Sequence, residues 1–474
     1  MNATQQKIDS VIVGLGTTGL SVARFLASRK QPRQAGFVVV DSRENPPGAE
    51  KLQQDYAATE THFGDFKTPW LTQAKELIVN PGIAVATPEI QSAKRAGVRI
   101  IGDIELFMRQ LQEGKSDQPV IAVTGSNGKT TVTTLLDLMA KKSGIKVGTG
   151  GNIGTPALDL LDDPDTQLFV LELSSYQLET TPSLHTLAAV ILNVSEDHLD
   201  RYNNDLDEYA QTKALIYRNC DHIICNRDDA YSMQFASAQA AAGGKTLTSF
   251  GLDEPHNEDY GLRQKEGRMW LVKGEHQLIP ADEIKLPGKH NIANALAALA
   301  LGEVAGLKLE AMLQVLREYA GMEHRTQWLA NLQGVNWYND SKGTNVGATL
   351  AALAGLPGKT VLIAGGQGKG ADFSPLAKVI KEKARALVLM GEDAQKISEV
   401  TDNSVTCVFV NSMSEAVAQA YQLANAEEQD NVLLSPACAS FDMFENYAAR
   451  GDTFMDEVRK LQQGLKLQQG AENV

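Results

Sequence analysis

Short apolar runs recur along the chain, each closed by a glycine- or asparagine-bearing turn and followed by a stretch with helical spacing of its apolar positions. That alternation predicts βαβ units whose parallel strands are buried on both faces. The rhythm starts three times. It opens with Val11-Ile-Val, turns at Gly14-Leu-Gly-Thr-Thr-Gly19, enters a helix from about Leu20 and reaches a second strand at Phe37-Val-Val-Val-Asp41, the beginning of a mononucleotide-binding unit. It restarts at Val120-Ile-Ala-Val, with further strands at Leu168-Phe-Val-Leu and over 188–192, and closes in the region from Gly306 to Gly321. A third block carries strands at Val361-Leu-Ile-Ala, over 386–390 and 405–410, and at Val432-Leu-Leu, with a helix over 412–426; it reads as another parallel sheet. An exposed loop is expected over 112–118 and a frayed tail from Gly464.

Length supports this division, because 474 residues exceed what one ordinary core accommodates. A composition with 43% hydrophobic and 22% charged residues is that of a globular chain able to bury large cores. The formal net charge of -14 argues against nucleic acid or an anionic membrane surface as a general partner, so any phosphate site must be local. Cys220, Cys225, Cys407 and Cys438 form no CxxC pair, which suggests neither a zinc site nor a disulfide framework and fits a reducing cytoplasm. The N-terminal Met-Asn-Ala-Thr-Gln-Gln-Lys has no apolar signal region, and a cytoplasmic location is expected.

The segment Ala122-Val-Thr-Gly-Ser-Asn-Gly-Lys-Thr-Thr131 stands between an apolar strand and the helical Val132-Thr-Thr-Leu-Leu-Asp-Leu-Met. Strand, glycine loop and helix in that order make a phosphate cradle. Gly125, Ser126, Asn127 and Gly128 can turn backbone N–H groups inward, the helix N-terminus adds positive dipole, and Lys129 supplies a mobile cation. Thr130 then offers a hydroxyl to magnesium, with Thr131 beside it. Val123 replaces the first glycine of the general pattern, and a plain glycine turn is the alternative. Downstream, Glu172 ends a buried strand at the edge where open α/β sheets bind ligands; a magnesium ligand and a glutamate in solvent are both open readings. The next strand runs into Leu192-Asn-Val-Ser-Glu-Asp-His198 and brings His198 to the same edge on a neighbouring strand, with a structural histidine as the alternative.

Gly14-x-Gly16-x-x-Gly19 with Asp41 downstream is the dinucleotide fingerprint, which alone points to an NAD-dependent oxidoreductase. Such an enzyme has no use for a second, phosphate-loop domain, whereas the same glycine turn can hold any pyrophosphate, including that of a UDP-sugar. A non-catalytic nucleotide switch is a third reading. It leaves a cluster of Asp340, Lys342 and Lys369 unexplained.

Taken in order, several runs resemble the successive signatures of the Mur ligases over nearly the whole chain. They are Thr124-Gly-Ser-Asn-Gly-Lys-Thr-Thr131, Gly151-Asn-Ile-Gly154, Glu172-Leu-Ser-Ser-Tyr-Gln-Leu-Glu179, Asn193-Val-Ser-Glu-Asp-His-Leu-Asp-Arg-Tyr202, His290-Asn-Ile-Ala-Asn294, His324-Arg325, Asn339-Asp-Ser-Lys-Gly-Thr-Asn345, Gly365-Gly-Gln-Gly-Lys-Gly370 and Leu434-Ser-Pro-Ala-Cys-Ala-Ser-Phe-Asp-Met-Phe444. The third and last of these resemble the branch that adds D-glutamate, rather than those adding L-alanine, a diamino acid or a dipeptide. A sibling such as folylpolyglutamate synthase should lack the N-terminal domain.

The resemblance implies an α/β chain of three domains: a Rossmann-like UDP-binding domain over 1–102, a central P-loop ATPase domain over 103–321, and a mobile Rossmann-like domain over 322–474 that binds the amino acid and part of ATP. It implies ATP- and magnesium-dependent addition of D-glutamate to UDP-N-acetylmuramoyl-L-alanine through an acyl phosphate, in cytoplasmic peptidoglycan precursor synthesis. Partners are then small molecules only, and a monomer is expected. By the same resemblance Lys129 contacts the ATP phosphates, Thr130 and Glu172 hold one magnesium, and His198 belongs to a second metal site and to the UDP-substrate. Lys213 resembles the lysine that becomes N-carboxylated toward that metal; read by itself it is a solvated helix lysine. Asn291 and Asn294 resemble adenine-side contacts, Asp340 the ribose-binding carboxylate, and Arg325 and Lys342 cations near the phosphates. Thr17, Thr18, Asp41, Ser42, Gly82 and Asn152 resemble the UDP side, where Asn80 stands in place of the usual serine. Thr344, Lys369, Ser440 and Tyr447 resemble the D-glutamate pocket, with Tyr447 where the pattern has phenylalanine and Phe441 where it has an aliphatic residue.

Overall fold

All four residues of β1 (Ser10–Val13) are buried, as are those of β2 (Phe37–Asp41), so both strands lie inside a sheet covered on its two faces. With β3 (Glu60–Phe63), β4 (Glu76–Val79) and β5 (Arg99–Ile101) they form a parallel sheet in the order β3-β2-β1-β4-β5. This computed structural model describes residues 8–29, 36–114, 118–196, 199–286, 288–321 and 323–472. The helix after β1 spans Thr17–Ser28, three residues earlier than the apolar spacing suggests. A Cβ on Gly19 would stand 2.2 Å from the Gly14 carbonyl oxygen, so only glycine lets the first helical turn close this tightly onto the strand end.

The second sheet has nine strands: β6 (Val120–Thr124), β7 (Val147–Gly151), β8 (Leu168–Glu172), β9 (Thr186–Ile191), β10 (Cys220–Asn226), β11 (Thr246–Phe250), β12 (Tyr260–Lys265), β13 (Arg268–Lys273) and β14 (His276–Pro280), in the order β14-β13-β12-β11-β10-β9-β6-β8-β7. Its core is parallel out to β12, but β12, β13 and β14 pair antiparallel with one another at one edge, which the sequence reading did not foresee. The expectation that β8 and β9 are neighbours is corrected: β6 lies between them and pairs with both. A doubly wound sheet sends successive crossovers to opposite sides of its founding strand. The phosphate loop leaving β6 is therefore flanked by the ends of β8 and β9.

The third sheet, in the order β15-β16-β20-β17-β18-β19, combines β15 (Gln327–Leu332), β16 (Val335–Asn339), β17 (Thr360–Ala364), β18 (Ala384–Leu389), β19 (Thr406–Phe409) and β20 (Asn431–Leu434). It is parallel except for β15, which pairs antiparallel with β16 at the edge. The tail does not fray at Gly464: one helix spans Tyr447–Glu472, because Leu461 and Leu465 continue its apolar face onto the cluster around Trp337, Phe454 and Val458. Of the loop expected over 112–118, Gln112 and Glu113 complete the helix Asp103–Glu113, and 115–117 lie outside the described residues.

One apolar cluster runs from Ile12, Leu15 and Ile78 in the first unit to Phe107, Phe169 and Tyr217 in the second. Both clusters of the third sheet draw only on residues beyond 328. The first two units thus share a core, while the third meets them through polar contacts, the kind of junction across which domains move. No described helix is long and apolar enough to cross a membrane.

Candidate active site between the central and C-terminal units

The loop from Gly125 to Gly128 leads from β6 into the helix Lys129–Ser143. Gly128 caps that helix at φ +84°, and a Cβ there would meet the Asn294 Oδ1 at 2.4 Å, so the position excludes any side chain. The segment after β9 straps the loop in place. The Asn127 N–H donates to Asn193 Oδ1 at 2.8 Å, the Asn193 amide donates back to the Asn127 carbonyl at 3.1 Å, and the Ser126 N–H donates to the Asn193 carbonyl at 2.9 Å. Ser126 Oγ donates to the Ser195 carbonyl and accepts from the Ser195 N–H, both at 2.9 Å. Asn193 and Ser195 were not singled out from the sequence. Apart from their place in the run that resembles the Mur ligases, their signal there is a polar residue set directly after a buried strand, at the ligand-binding edge.

Lys129 folds over its own loop, donating to the carbonyls of Gly125 at 2.8 Å and Ser126 at 3.0 Å. Lys213 is 1% exposed, which corrects its reading as a solvated helix lysine. Its Nζ donates to the same Gly125 carbonyl at 3.1 Å and lies 4.5 Å from the Tyr209 ring centre. The helical spacing of Tyr209-Ala-Gln-Thr-Lys213 places it on the face turned to the core rather than to water. Glu172 is also 1% exposed, so the solvent reading fails for it too. Its Oε1 accepts from the Asn152 amide at 2.9 Å, while Oε2 has no hydrogen-bond partner among the described residues. An orphaned carboxylate oxygen in a dry site costs free energy unless a cation meets it. Among the described residues no three His, Cys, Asp or Glu side chains could hold a metal together. Magnesium, which keeps waters and phosphate oxygens in its shell, fits such a sparse donor set. His198 lies outside the described residues.

Across the loop, Arg325 of the C-terminal unit donates to Thr130 Oγ1 at 2.7 Å. Between the two units lies a cavity of about 920 Å³, lined by Asn127, Gly128 and Thr131 on one side and Arg325, Asp340, Lys342 and Lys369 on the other. Asn291 and Asn294, in the first turns of the helix Lys289–Val304, line it as well, and the Asn294 amide donates to Asn291 Oδ1 at 3.1 Å. Asp340 is held by Ser435 Oγ at 2.7 Å and by the Thr326 N–H at 2.9 Å. Burial nevertheless pushes its carboxyl up to about 6.

Three loops meet beneath Lys369. Gln367 and Ala439 exchange backbone hydrogen bonds at 2.9 and 3.0 Å, and the Ala437 N–H donates to the Gly343 carbonyl at 2.9 Å. This brings the Lys369 loop beside Ser440, which is buried, and beside the turn leading to Thr344, which is exposed. Lys369 holds a left-handed φ of +53°, a conformation that costs a non-glycine residue about 1–2 kcal/mol. Its Nζ lies 5.2 Å from the Phe441 ring centre. The Tyr447 hydroxyl accepts from Lys342 Nζ at 3.0 Å.

The remaining candidates gather on the first sheet. Thr17 and Thr18 follow β1, Asp41 and Ser42 end β2, and Gly82 follows β4, three strands that lie side by side. Asn152 stands apart, at the end of β7 against Glu172. Asp41 accepts from the Leu15 N–H at 2.8 Å and, in a bidentate pair, from Arg43 Nε at 2.9 Å and Nη2 at 2.7 Å. Burial works to raise this carboxyl, but its hydrogen bonds with Arg43 and Leu15 outweigh burial and hold it below the usual value. A carboxylate so engaged is poorly placed to take a ribose hydroxyl, which weighs against the dinucleotide reading. Arg201, another residue missed from the sequence, stacks 3.9 Å above the Tyr176 ring and donates to the carbonyls of Pro81 and Ile83 at 3.4 and 3.2 Å. It ties the Gly82 turn to the segment that follows β9.

Three models of known domain families match the chain. Residues 8–102 match the Mur ligase MurD-like N-terminal domain, 123–302 the Mur ligase middle domain, and 324–438 the Mur ligase glutamate ligase domain. The chain is 50% identical over 456 residues to a UDP-N-acetylmuramoylalanine–D-glutamate ligase of Nitrosococcus oceani, covering 95% of this chain and 96% of that one. It is 48% identical over 448 residues to the protein of the same name from Pseudomonas putida, covering 94% and 96%. Among solved structures, a UDP-N-acetylmuramate-alanine ligase from Thermotoga maritima superposes with a TM-score of 0.54 at 19% identity, over 95% of this chain and 99% of its own, and shows the fold. The chain belongs to the Mur ligase family, in the branch of the UDP-N-acetylmuramoylalanine–D-glutamate ligases.

Proposed function

We propose that this chain uses ATP to join the carboxylate of UDP-N-acetylmuramoyl-L-alanine to the amine of D-glutamate, a cytoplasmic step in the synthesis of peptidoglycan precursors. The observation that carries the reading is the two-sided cavity, with a phosphate loop on one wall and Arg325, Lys342 and Lys369 on the other. A hydrolase needs only the first wall. Transfer between two anionic substrates needs cations on both, because the carboxylate, the γ-phosphate and the dianionic amino acid must approach one another. The domain assignment follows: 1–102 holds the UDP end, 103–321 the ATP phosphates, and 322–474 the amino acid and the ribose.

In the first step the muramoyl-alanine carboxylate attacks the γ-phosphorus, ADP leaves, and an acyl phosphate forms. In the second the D-glutamate amine adds to the acyl carbon, inorganic phosphate departs, and the amine proton passes to solvent or a phosphate oxygen. Gly125 to Gly128 orient the phosphates, Lys129 and Arg325 offset their charge, and Asp340 with Asn291 and Asn294 holds the nucleoside. Thr344, Lys369 and Ser440 hold the D-glutamate carboxylates, and the dry setting of Glu172 and Lys213 excludes water that would otherwise hydrolyse the acyl phosphate. Thr130 and Glu172 would hold one magnesium, with His198 and Lys213 serving a second; the bound metal supplies charge neutralisation at the transferring phosphoryl group. Two ammonium groups, those of Lys129 and Lys213, converge on one carbonyl oxygen. Conversion of Lys213 to a carbamate would replace that repulsion with attraction.

The deciding assay is phosphate release from ATP with UDP-N-acetylmuramoyl-L-alanine, comparing D-glutamate with L-glutamate, L-alanine and diaminopimelate. Release should require the muramoyl substrate, magnesium and D-glutamate together. Comparable turnover on ATP alone would refute the ligase reading, and preference for another amino acid would refute the D-glutamate assignment.

A further inference from the structure

Tyr447 begins the long C-terminal helix, and two of its groups reach back to the turn that carries Asp340 and Lys342. Its carbonyl accepts from Ser341 Oγ at 2.7 Å, and its hydroxyl accepts from Lys342 Nζ at 3.0 Å. The ammonium also lies 4.1 Å from the centre of the Tyr447 ring. The ring also packs edge-on against His324, with centroids 6.1 Å apart. Lys342 lines the large cavity and Tyr447 does not, so the phenol forms the wall behind the ammonium.

We propose that the Tyr447 hydroxyl is a positioning group that fixes the Lys342 ammonium toward the cavity. This rests on the reading that Lys342 acts on the phosphate transferred there. A lysine on its flexible four-carbon stem otherwise spreads over many rotamers, and its point charge is useful to a phosphate only where it is held. The ring face attracts the cation without choosing its direction. The hydroxyl adds a charge-assisted hydrogen bond that does choose it. The residue departs from the Mur pattern by this one oxygen, since phenylalanine there would keep the ring and lose the direction. The Tyr447 hydroxyl accordingly acts through Lys342.

Tyr447→Phe removes the oxygen and leaves the packing against His324 in place. Losing one hydrogen bond to a charged group should raise the rate at which an amine-reactive label modifies Lys342, measured against Lys369 in the same digest, by about tenfold. Turnover should fall by about tenfold in kcat, with KM for D-glutamate changing less than about twofold. In a Lys342→Ala background the same substitution should change neither kcat nor the KM for D-glutamate further. Unchanged labelling of Lys342 overturns the proposal, as does a rise in KM for D-glutamate at constant kcat, or a Tyr447→Phe effect that persists without Lys342. Should the unaltered enzyme release no phosphate with D-glutamate, the proposed function fails, and the labelling comparison alone decides on Tyr447.

Discussion

Replacing Glu172 by glutamine should make the substrate-free protein more stable and the enzyme nearly inactive. The side chain is 1% exposed, and its Oε2 meets no hydrogen-bond donor among the described residues, so the folded state carries an uncompensated acceptor. A buried group left unsatisfied costs about 1–3 kcal/mol, and more when charged. Glutamine has the same shape, and its carbonyl oxygen can keep the bond from Asn152, which lies at 2.9 Å. The amide then exposes an unpaired N–H₂ where the orphaned oxygen stood, so only the charged part of the cost is relieved, about 1 kcal/mol. For a unit the size of the central domain that is an increase of roughly 2–4 °C in melting temperature. The measurement is thermal unfolding in a chelator, followed by the same scan with magnesium and ADP. The unaltered protein should gain more from the metal and nucleotide than the variant does, reversing their order, and phosphate release should fall by at least about 100-fold, as for loss of an electrostatic group at a transferring centre. A variant less stable than the parent in chelator would refute the reasoning, because Glu172 would then be a structural carboxylate and not one waiting for a cation.

Lys213→Ala removes a side chain that is 1% exposed, so besides abolishing most activity it should cost about 2–5 kcal/mol in stability through the cavity it leaves; acetate should restore part of the turnover if a carbamate is the working form, and near-normal activity without acetate would withdraw Lys213 from the site. Lys369→Ala should raise the KM for D-glutamate by at least about tenfold with little change for ATP, the loss of one charged hydrogen bond to a carboxylate, and equal effects on both substrates would reassign the residue. The Asp340 carboxyl, raised by burial to about 6 from a usual 3.8, stays protonated in the folded chain over a range in which the unfolded chain has released its proton. Its contribution to stability is therefore full below about pH 4 and is lost as pH rises through about 6. Asp340→Asn should flatten that part of a stability–pH curve measured by chemical unfolding, and an unaltered slope would show that the group is not strained.

Strands in each of the three sheets were legible where burial on both faces writes a continuous apolar run, as in Val120-Ile-Ala-Val and Phe37-Val-Val-Val. Their order was not legible. Nothing in Leu168–Glu172 or Thr186–Ile191 says that β6 separates them, since the crossover choice is made by how helices cover the sheet and leaves no mark within a strand. The strands β12 to β14 were missed for a related reason: β12 ends in the polar run Arg263, Gln264 and Lys265, and so polar a stretch reads as a loop. The tail was misjudged on composition, because Gly464 and its glutamines suggest fraying while Leu461 and Leu465, four apart, give the helix a side to bury.

Residues that act through the backbone or through a charge are the readable part of the site. Gly128 and Lys129 announce themselves because few purposes other than a phosphate demand glycine, then a cation, at the start of a helix. Lys213 shows the opposite case. Its neighbours in sequence are those of any exposed helix, and only the fold turns it inward, so its own segment favours the surface reading that burial overturns. Asn193 and Arg201 are less legible still, because each works on carbonyls supplied by distant segments: Asn193 on the phosphate loop, 66 residues away, and Arg201 on Pro81 and Ile83, 120 and 118 residues away. A carbonyl is present at every residue, so its use leaves no pattern to find. Arg325, whose donation to Thr130 crosses from the C-terminal unit to the phosphate loop, was likewise accessible from sequence only through the likeness to a family.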